Sequence, residues 1–458
     1  MEPAKGHHKA LLWLILLGSL ALKVTLCFDT EGMKVFGDPG MYIRMARTFA
    51  SGGGFTVDEA NLWPPGHIAF LGLHFRLFGK ELLYPKLSQA VLSTFTVYFM
   101  WRIARHALPT PRQALIATAG IAFYPTLVAF THYLWAETLY LFFYAGAAAA
   151  FFEAHARDQR RWYVLSAVAF ALAALTKSIG LYTGALWVAW MLWQGRADLR
   201  RAAGRAALFT VAVAACILPY TYYNYLQFDR FVLIDMSLGR NLYYGHNALG
   251  PPSWDYGLSR PFGRHRKPNR VRCDEIPGLT HPKDVERCEV DGAIQFIREH
   301  KVETLRRFGV KMADLFAPTS PLVTAVATGK YQPAPEGGWR IFLMALAVVP
   351  WLITGVGAVM SLTLVGWNRW KVWFGLLIFF YLMVHWATVG ASRYRLTLEP
   401  FLIILAVEGF AYGFKTLKDE RGRGARSLAF YALMTTVVYM WSTRSKGALK
   451  EIFTWLTS

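Results

Sequence analysis

Ala-Leu-Leu-Trp-Leu-Ile-Leu-Leu-Gly-Ser-Leu-Ala-Leu-Lys-Val-Thr-Leu-Cys-Phe, residues 10–28, is an apolar run with a single charge, Lys23. Wound as an α-helix it is long enough to cross a hydrocarbon core about 30 Å thick. Lys5 and Lys9 stand in front of it, and a charged start before a short apolar core also fits a cleaved signal peptide. The many similar blocks that follow favour a retained helix, with Lys23 snorkelling at its outer end.

Outward from that block the pattern repeats. Spans are predicted at 83–102, 114–130, 134–152, 162–175, 180–193 and 206–223, then at 341–364, 372–389, 396–414 and 427–441. The sequence therefore reads as an all-α polytopic membrane protein of about eleven spans, most of them near the length of about 20 residues that crosses a bilayer. Hydrophobic residues make up 55% of the chain and charged residues 17%, so the soluble multidomain reading that this length would suggest gives way. Two polar stretches interrupt the spans, at 29–80 and 224–338. They divide the chain into an N-terminal transmembrane module (1–223, with a first outer loop at 29–82), a long external loop (224–340) and a C-terminal group of helices (341–458).

The formal charge of +20 sits largely in short loops, which makes it a topology signal and an attraction to anionic lipid rather than a nucleic-acid footprint. Arg102, Arg105 and Arg112, then Arg157, Arg160 and Arg161, then Arg196, Arg200, Arg201 and Arg205 occupy alternate connections. Arg369 and Lys371, and later Lys415, Lys418, Arg421, Arg423 and Arg426, continue the series on the same side. That side also holds the N-terminus, which is expected to be cytoplasmic, with both long stretches external. Cys273 and Cys288 share the second of these, where a disulfide can persist, although two unpaired thiols would fit the sequence as well. No metal-type cysteine spacing occurs. Within the same loop, Val290, Ile294, Ile297, Val302, Leu305, Val310 and Leu315 recur among charges, predicting one or two amphipathic helices at the interface or over the bundle.

The first outer loop carries the chemistry. In Phe36-Gly-Asp-Pro-Gly-Met-Tyr-Ile-Arg-Met-Ala-Arg47, Asp38 can cap a helix and Pro39 suits its first position. Asp38, Tyr42 and Ala46 then share one face. Ser51-Gly-Gly-Gly54 ends this helix, and a second amphipathic one runs from Trp63-Pro-Pro-Gly66 to about Phe78. An acid at the outer mouth of a bundle can be kept partly dry and tuned toward a base. Glu137, at the outer end of the fourth span, is a second such acid, since an ionisable group there needs a partner or a polar cavity. Lys177, in an outer turn, and Arg393 and Arg395, at the entry to the tenth span, are cations suited to a phosphate at the membrane surface. Tyr42, His132 and His246 are candidate sugar contacts, although isolated histidines are more often structural.

In order along the chain, these pieces resemble bacterial polytopic glycosyltransferases of the GT-C fold, the relatives of protein O-mannosyltransferases and of the lipid A aminoarabinose transferase. The matching segments are Asp38-x-x-x-Tyr42-x-x-x-Ala46, Gly52-Gly-Gly-Phe55, Pro64-Pro65-Gly66, Glu137-Thr-Leu, Leu175-Thr-Lys177-Ser, Asn224 to Ile234, Gly239-Arg-Asn241-Leu-Tyr-Tyr-Gly245-His-Asn247, and Arg393-Tyr-Arg-Leu-Thr-Leu-Glu-Pro400. The third outer turn departs from the family pattern, with Lys177 for the usual Arg and Ser178 for Pro. Leu62-Trp63 stands where charged residues often precede the prolines.

The resemblance implies a transferase acting on the outer, periplasmic face of a bacterial inner membrane, with a polyprenyl-phosphate-linked sugar as donor and a lipid, glycan or protein hydroxyl as acceptor. It implies Asp38 as the catalytic aspartate, Glu137 as the second acidic residue, and Lys177, Arg393 and Arg395 near the lipid phosphate. Asn241, His246 and Asn247 fall in a motif that would contact substrate. Asp38 and Glu137 are also the candidate ligands for a divalent cation, Mg²⁺ or Mn²⁺ by oxygen chemistry. A transporter or lipid flippase is the competing class. The sequence lacks the internal repeat that such proteins often show, and its polar residues gather at the outer end rather than at the midplane.

Overall fold

The computed structural model describes residues 3–33, 35, 37–55, 63–247, 273, 278–279, 281–420 and 422–457, so Leu62 lies outside the described residues. Every regular element among them is helical. The chain divides into two compact units, Met1–Asp235 and Met236–Ser458. The second unit takes the end of the long polar stretch together with the last spans. Six of the described helices are long and apolar enough to cross a membrane: His7–Asp29, Ala136–Arg157, Leu199–Phe228, Gly337–Leu364, Arg369–Ala387 and Glu399–Asp419.

The first unit holds α1 (Pro3–Asp29), α2 (Pro39–Ala50), α3 (Pro65–Phe78), α4 (Leu83–Ala107), α5 (Pro111–Ala122), α6 (Pro125–Ala129), α7 (Ala136–Arg157), α8 (Arg160–Thr176), α9 (Ile179–Tyr182), α10 (Gly184–Gln194) and α11 (Leu199–Phe228). Two predicted spans are broken. Tyr124-Pro125 splits α5 from α6, because proline cannot donate to the preceding turn, and Thr183 separates α9 from α10. Helix α7 is the centre of the unit. Its run Ala147-Ala-Ala-Ala150 is buried, which lets α4 and α8 approach closely, and the Ser166 hydroxyl donates to the Ala147 carbonyl (2.9 Å).

Lys23 does not snorkel. It is buried, 1% exposed, on the stripe Leu12, Leu16, Ser19, Lys23 and Cys27. Helix α1 packs against α4 and α5, and the three- and four-residue spacing carries Lys23 inward with that stripe. At one end of the unit the basic connections meet. Arg102, His106 and Arg157 all pair with Glu153, and Arg201 and Arg205 pair with Asp158.

The second unit holds α12 (Ser237–Gly245), α13 (Pro282–Glu299), α14 (Lys301–Leu315), α15 (Pro321–Ala327), α16 (Gly337–Leu364), α17 (Arg369–Ala387), a 3₁₀ turn (Ser392–Thr397), α18 (Glu399–Asp419) and α19 (Ala425–Thr457). Helices α16 and α18 cross where Gly409 of α18 meets Gly357 of α16 and Gly413 lies against Met360 and Leu364. A Cβ on Gly409 would collide with the Gly357 carbonyl, so this small-x₃-small contact depends on glycine. Beside it the Ser361 hydroxyl donates to Glu408 (2.5 Å), and Lys371 pairs with Glu408 (2.7 Å).

Two amphipathic helices, α13 and α14, cover the predicted periodic segment, and the first half of α14 turns its apolar residues outward. Val302 and Leu305 are 84% and 70% exposed, whereas Arg307 and Lys311 are buried. An apolar stripe directed away from the protein is the pattern of a helix lying in a lipid interface. Cys273 and Cys288 are joined by a disulfide.

Candidate active site

Helices α2 and α3 pack on each other and on the chain just before α7. Tyr42, Ile43, Met45 and Ala46 of α2, Ile68, Leu71 and Phe75 of α3, and Leu134 and Ala136 form one buried cluster. Burying such side chains contributes roughly 1.5–3 kcal/mol for each large one. Both helices begin with proline, as the sequence predicts. The start of α2 is brought to the start of α7, since a Cβ on Gly37 would lie 3.0 Å from the Trp135 ring. Asp38 therefore stands close to the segment that leads into Glu137.

Asp38 does not cap α2 with its side chain. It occupies the N-cap position without a side-chain capping bond, and its backbone is already helical (φ −59°, ψ −33°). Pro39 sets the entry, and the Asp38 carbonyl accepts from the amides of Met41 (2.9 Å) and Tyr42 (3.2 Å). The residue is partly buried.

Glu137 lies in the first turn of α7, 5% exposed, and Lys177 follows the last turn of α8. The two form an ion pair, with Lys177 Nζ 2.8 Å from Glu137 Oε1. The placement has a simple cause. Helices α7 and α8 are antiparallel neighbours, so the positive end of one macrodipole adjoins the negative end of the other, and each charge sits at the end that favours it. Lys177 also lies near the Tyr140 ring (6.0 Å).

The turn before α7 is held from two sides. His67 Nε2 donates to the Leu134 carbonyl (2.8 Å), and Gln89 donates to the Trp135 carbonyl (3.4 Å). Leu134 has φ +55°, an uncommon conformation for a bulky residue that persists only where the surroundings fix it.

The candidate sugar contacts are not presented as expected. Tyr42 is buried, its ring edge-on to Trp63 (5.2 Å) and His67 (5.0 Å). His132 is buried within the turn, and burial, helped by Lys86, lowers its pKa to about 3. Burial likewise lowers that of His67 to about 4. Both imidazoles are neutral near pH 7. The unfolded chain binds their protons near 6.5 and the folded chain does not until about 3–4, so stability is full above 6.5 and is lost as pH falls below it. Thermal unfolding in detergent should therefore come at a lower temperature at about pH 5 than at about pH 7.5, and His67→Gln should lessen the difference. An equal difference in that variant would remove His67 from this account.

The remaining candidates lie in the second unit. Asn241 donates to the Ser237 carbonyl (2.9 Å) within its own helix, and Asn247 donates to the Tyr243 carbonyl (2.9 Å) at the end of α12. His246 Nε2 accepts from Lys311 Nζ (3.0 Å), which also donates to the Trp386 carbonyl (2.8 Å). Burial lowers Lys311 to about 7 and His246 to about 4.

Arg395 is engaged within the protein. It is 1% exposed and donates to Glu399 (3.0 Å) and to the carbonyls of Leu315 (3.3 Å), Ala317 and Thr319 (2.7 Å). Its guanidinium also lies 4.0 Å from the Trp351 ring centroid. With its donors committed in this way, it clamps the 315–319 segment. Arg393 is half-buried, with its guanidinium over Tyr394 (4.9 Å).

A divalent cation does not fit the described donors. No group of three or more His, Cys, Asp or Glu converges among the described residues, and Glu137, one of the two candidate ligands, is already engaged with Lys177.

Sequence reasoning passed over His67, Gln89, Arg307, Lys311 and Glu399. For His67 a signal existed, since it shares a face with Leu71 and Phe75 at four-residue spacing.

Residues 63–223 match the family model described as dolichyl-phosphate-mannose-protein mannosyltransferase. A search of the curated proteins returns no match. Among solved structures, the chain is similar to the archaeal oligosaccharyltransferase AglB from Archaeoglobus fulgidus in complex with an inhibitory peptide and a dolichol-phosphate (TM-score 0.54, 14% identity, covering 98% of this chain and 56% of that one). The same enzyme tethered to an acceptor peptide gives a TM-score of 0.53 at 12% identity, covering 96% and 55%. ArnT from Cupriavidus metallidurans bound to undecaprenyl phosphate gives 0.45 at 16% identity, covering 91% and 84%. The chain thus spans about half the length of the archaeal enzyme. It has the GT-C fold of that enzyme, and residues 63–223, which carry α3 and the Glu137–Lys177 pair, match the mannosyltransferase family.

Proposed function

We propose that this chain is a multi-pass membrane glycosyltransferase that moves a hexose or pentose from a polyprenyl-phosphate-linked donor to an acceptor hydroxyl. The observation that carries this reading is the meeting of the start of α2, with Asp38, and the start of α7, with the Glu137–Lys177 pair; the pair, though not α2, falls within the residues 63–223 that match the family model. The fold's archaeal relative was solved with a dolichol-phosphate, which is in keeping with a lipid-phosphate donor.

The donor already carries a good leaving group. Catalysis then requires that the acceptor hydroxyl be positioned, its proton taken and the departing phosphate stabilised. In this scheme the acceptor oxygen bonds to the anomeric carbon while the bond from that carbon to the phosphate oxygen breaks. The electron pair of that bond leaves with polyprenyl phosphate. Asp38 accepts the hydroxyl proton, or orients the hydroxyl for its loss. Glu137 holds Lys177 in place, and Lys177, with N–H groups beyond the one given to Glu137, meets the phosphate. No step is assigned to a metal.

The ladder of basic loops supports a cytoplasmic N-terminus and a site on the opposite face, which the family resemblance makes the periplasmic face of a bacterial inner membrane. The disulfide in the long polar segment supports an oxidising side for that segment. The acceptor class, whether lipid, glycan or protein, is left to experiment. The purified chain in nanodiscs, given a polyprenyl-phosphate sugar and candidate acceptors, is expected to release polyprenyl phosphate and form a glycosylated product. Movement of the intact donor across the bilayer without cleavage would instead make it a flippase.

A further inference from the structure

Pro64-Pro65-Gly66-His67 is a motif of the first outer loop to which the reaction scheme gives no role. Two of its residues touch the two strands of chain that bear the ion pair. His67 donates to the Leu134 carbonyl, three residues before Glu137. Gly66 lies against the end of α8, where a Cβ would come within 2.7 Å of Thr176 Oγ1 and 2.9 Å of the Leu175 carbonyl. Lys177 is the next residue. A dipeptide on α3 therefore fixes the turn into α7 and the exit from α8 together.

We propose that Gly66 and His67 are positioning residues for the Glu137–Lys177 pair, His67 through the Leu134 carbonyl and Gly66 through the end of α8. The roles of Glu137 and Lys177 in transfer are those of the function proposed above, on which this inference rests.

Three features support it. His67 is fully buried, so its hydrogen bond does not exchange with water and sets the carbonyl's direction firmly. The held residue, Leu134, has the left-handed backbone that a leucine adopts only under constraint. Rotation of that peptide would move Trp135, the N-cap of α7, and with it the first turn that carries Glu137. Because Nε2 is the donor, His67 Nδ1 bears the lone pair, and it has no hydrogen-bond partner. The ring is neutral near pH 7, its proton affinity lowered by burial, and so it does not compete with Lys177 for Glu137.

His67→Phe keeps the ring and removes the donor. Transfer in this variant should fall by about 10²-fold, in kcat more than in the KM for the donor lipid, because a displaced group costs rate even when binding survives. His67→Gln, whose amide N–H can reach the same carbonyl, should recover to within about tenfold of wild type. Gly66→Ala should lose transfer as His67→Phe does, which provides the same test if the phenylalanine variant does not fold.

A second readout needs no turnover. Labelling of Lys177 by an amine-acylating reagent, read by mass spectrometry, should be slow in wild type and in His67→Gln and several-fold faster in His67→Phe. Unchanged labelling and full turnover in His67→Phe would overturn the inference. So would a loss of turnover that Gln fails to restore while both variants lose thermal stability equally, since the role would then be packing alone. If the wild-type chain transfers no sugar, the function reading fails, while the labelling still decides whether His67 positions the pair.

Discussion

Asp38→Asn is expected to fold and insert as wild type and to lose sugar transfer by about 10²–10⁴-fold, the usual worth of a positioned proton acceptor. The expectation is sharper than the sequence alone allowed. Asp38 occupies the N-cap position, but its side chain makes no capping bond, so asparagine has no cap to replace and none to lose. The start of α2 is held by Pro39, by the Asp38 carbonyl and by the buried faces of Tyr42, Ile43 and Ala46. None of these depends on the carboxylate. The measurement pairs donor-lipid cleavage with thermal unfolding in detergent. Full activity in Asn would take Asp38 out of the chemistry, and a large drop in melting temperature would return it to a structural role.

Arg395→Ala is expected to cost about 3–5 kcal/mol of stability, the scale for breaking a buried ion pair from one side. The substitution leaves the Glu399 carboxylate, 1% exposed, without its cation. It also leaves the carbonyls of Leu315, Ala317 and Thr319 without their donor and removes the guanidinium from the face of Trp351. The contrast with Arg393→Ala makes the test specific. Arg393 is half-buried and lies over Tyr394, so its loss should leave unfolding close to wild type and raise the KM for the donor. If Arg395→Ala melted normally and only weakened donor binding, Arg395 would be a phosphate ligand after all.

The two arginines show where sequence reasoning stops. They are two residues apart in one motif, and both were candidates for the lipid phosphate. Nothing local tells them apart, because the choice is made by a segment at 315–319 and by Trp351, far away in the chain. His67 makes the same point from the other side. Its helical face was readable, but its partner, the Leu134 carbonyl, depends on α3 and the turn before α7 arriving at one place. His246, a candidate substrate contact by its motif, has Lys311 as its hydrogen-bond partner, a pairing no local pattern contains.

What the sequence determined by itself were features that repeat over a few residues. The apolar blocks such as 10–28, the proline starts of α2 and α3, the break of α2 at Ser51-Gly-Gly-Gly54 and the alternation of basic loops all follow from local pattern, because helix period and chain entropy act over single turns. The tertiary structure decided which polar groups on those helices meet. It turned Lys23 inward, paired Glu137 with Lys177, left the Asp38 side chain out of the cap and spent Arg395 on a clamp. A buried polar group must find a partner to offset its lost hydration, and that partner is set by which helices cross, a matter of long-range packing that no window of sequence contains.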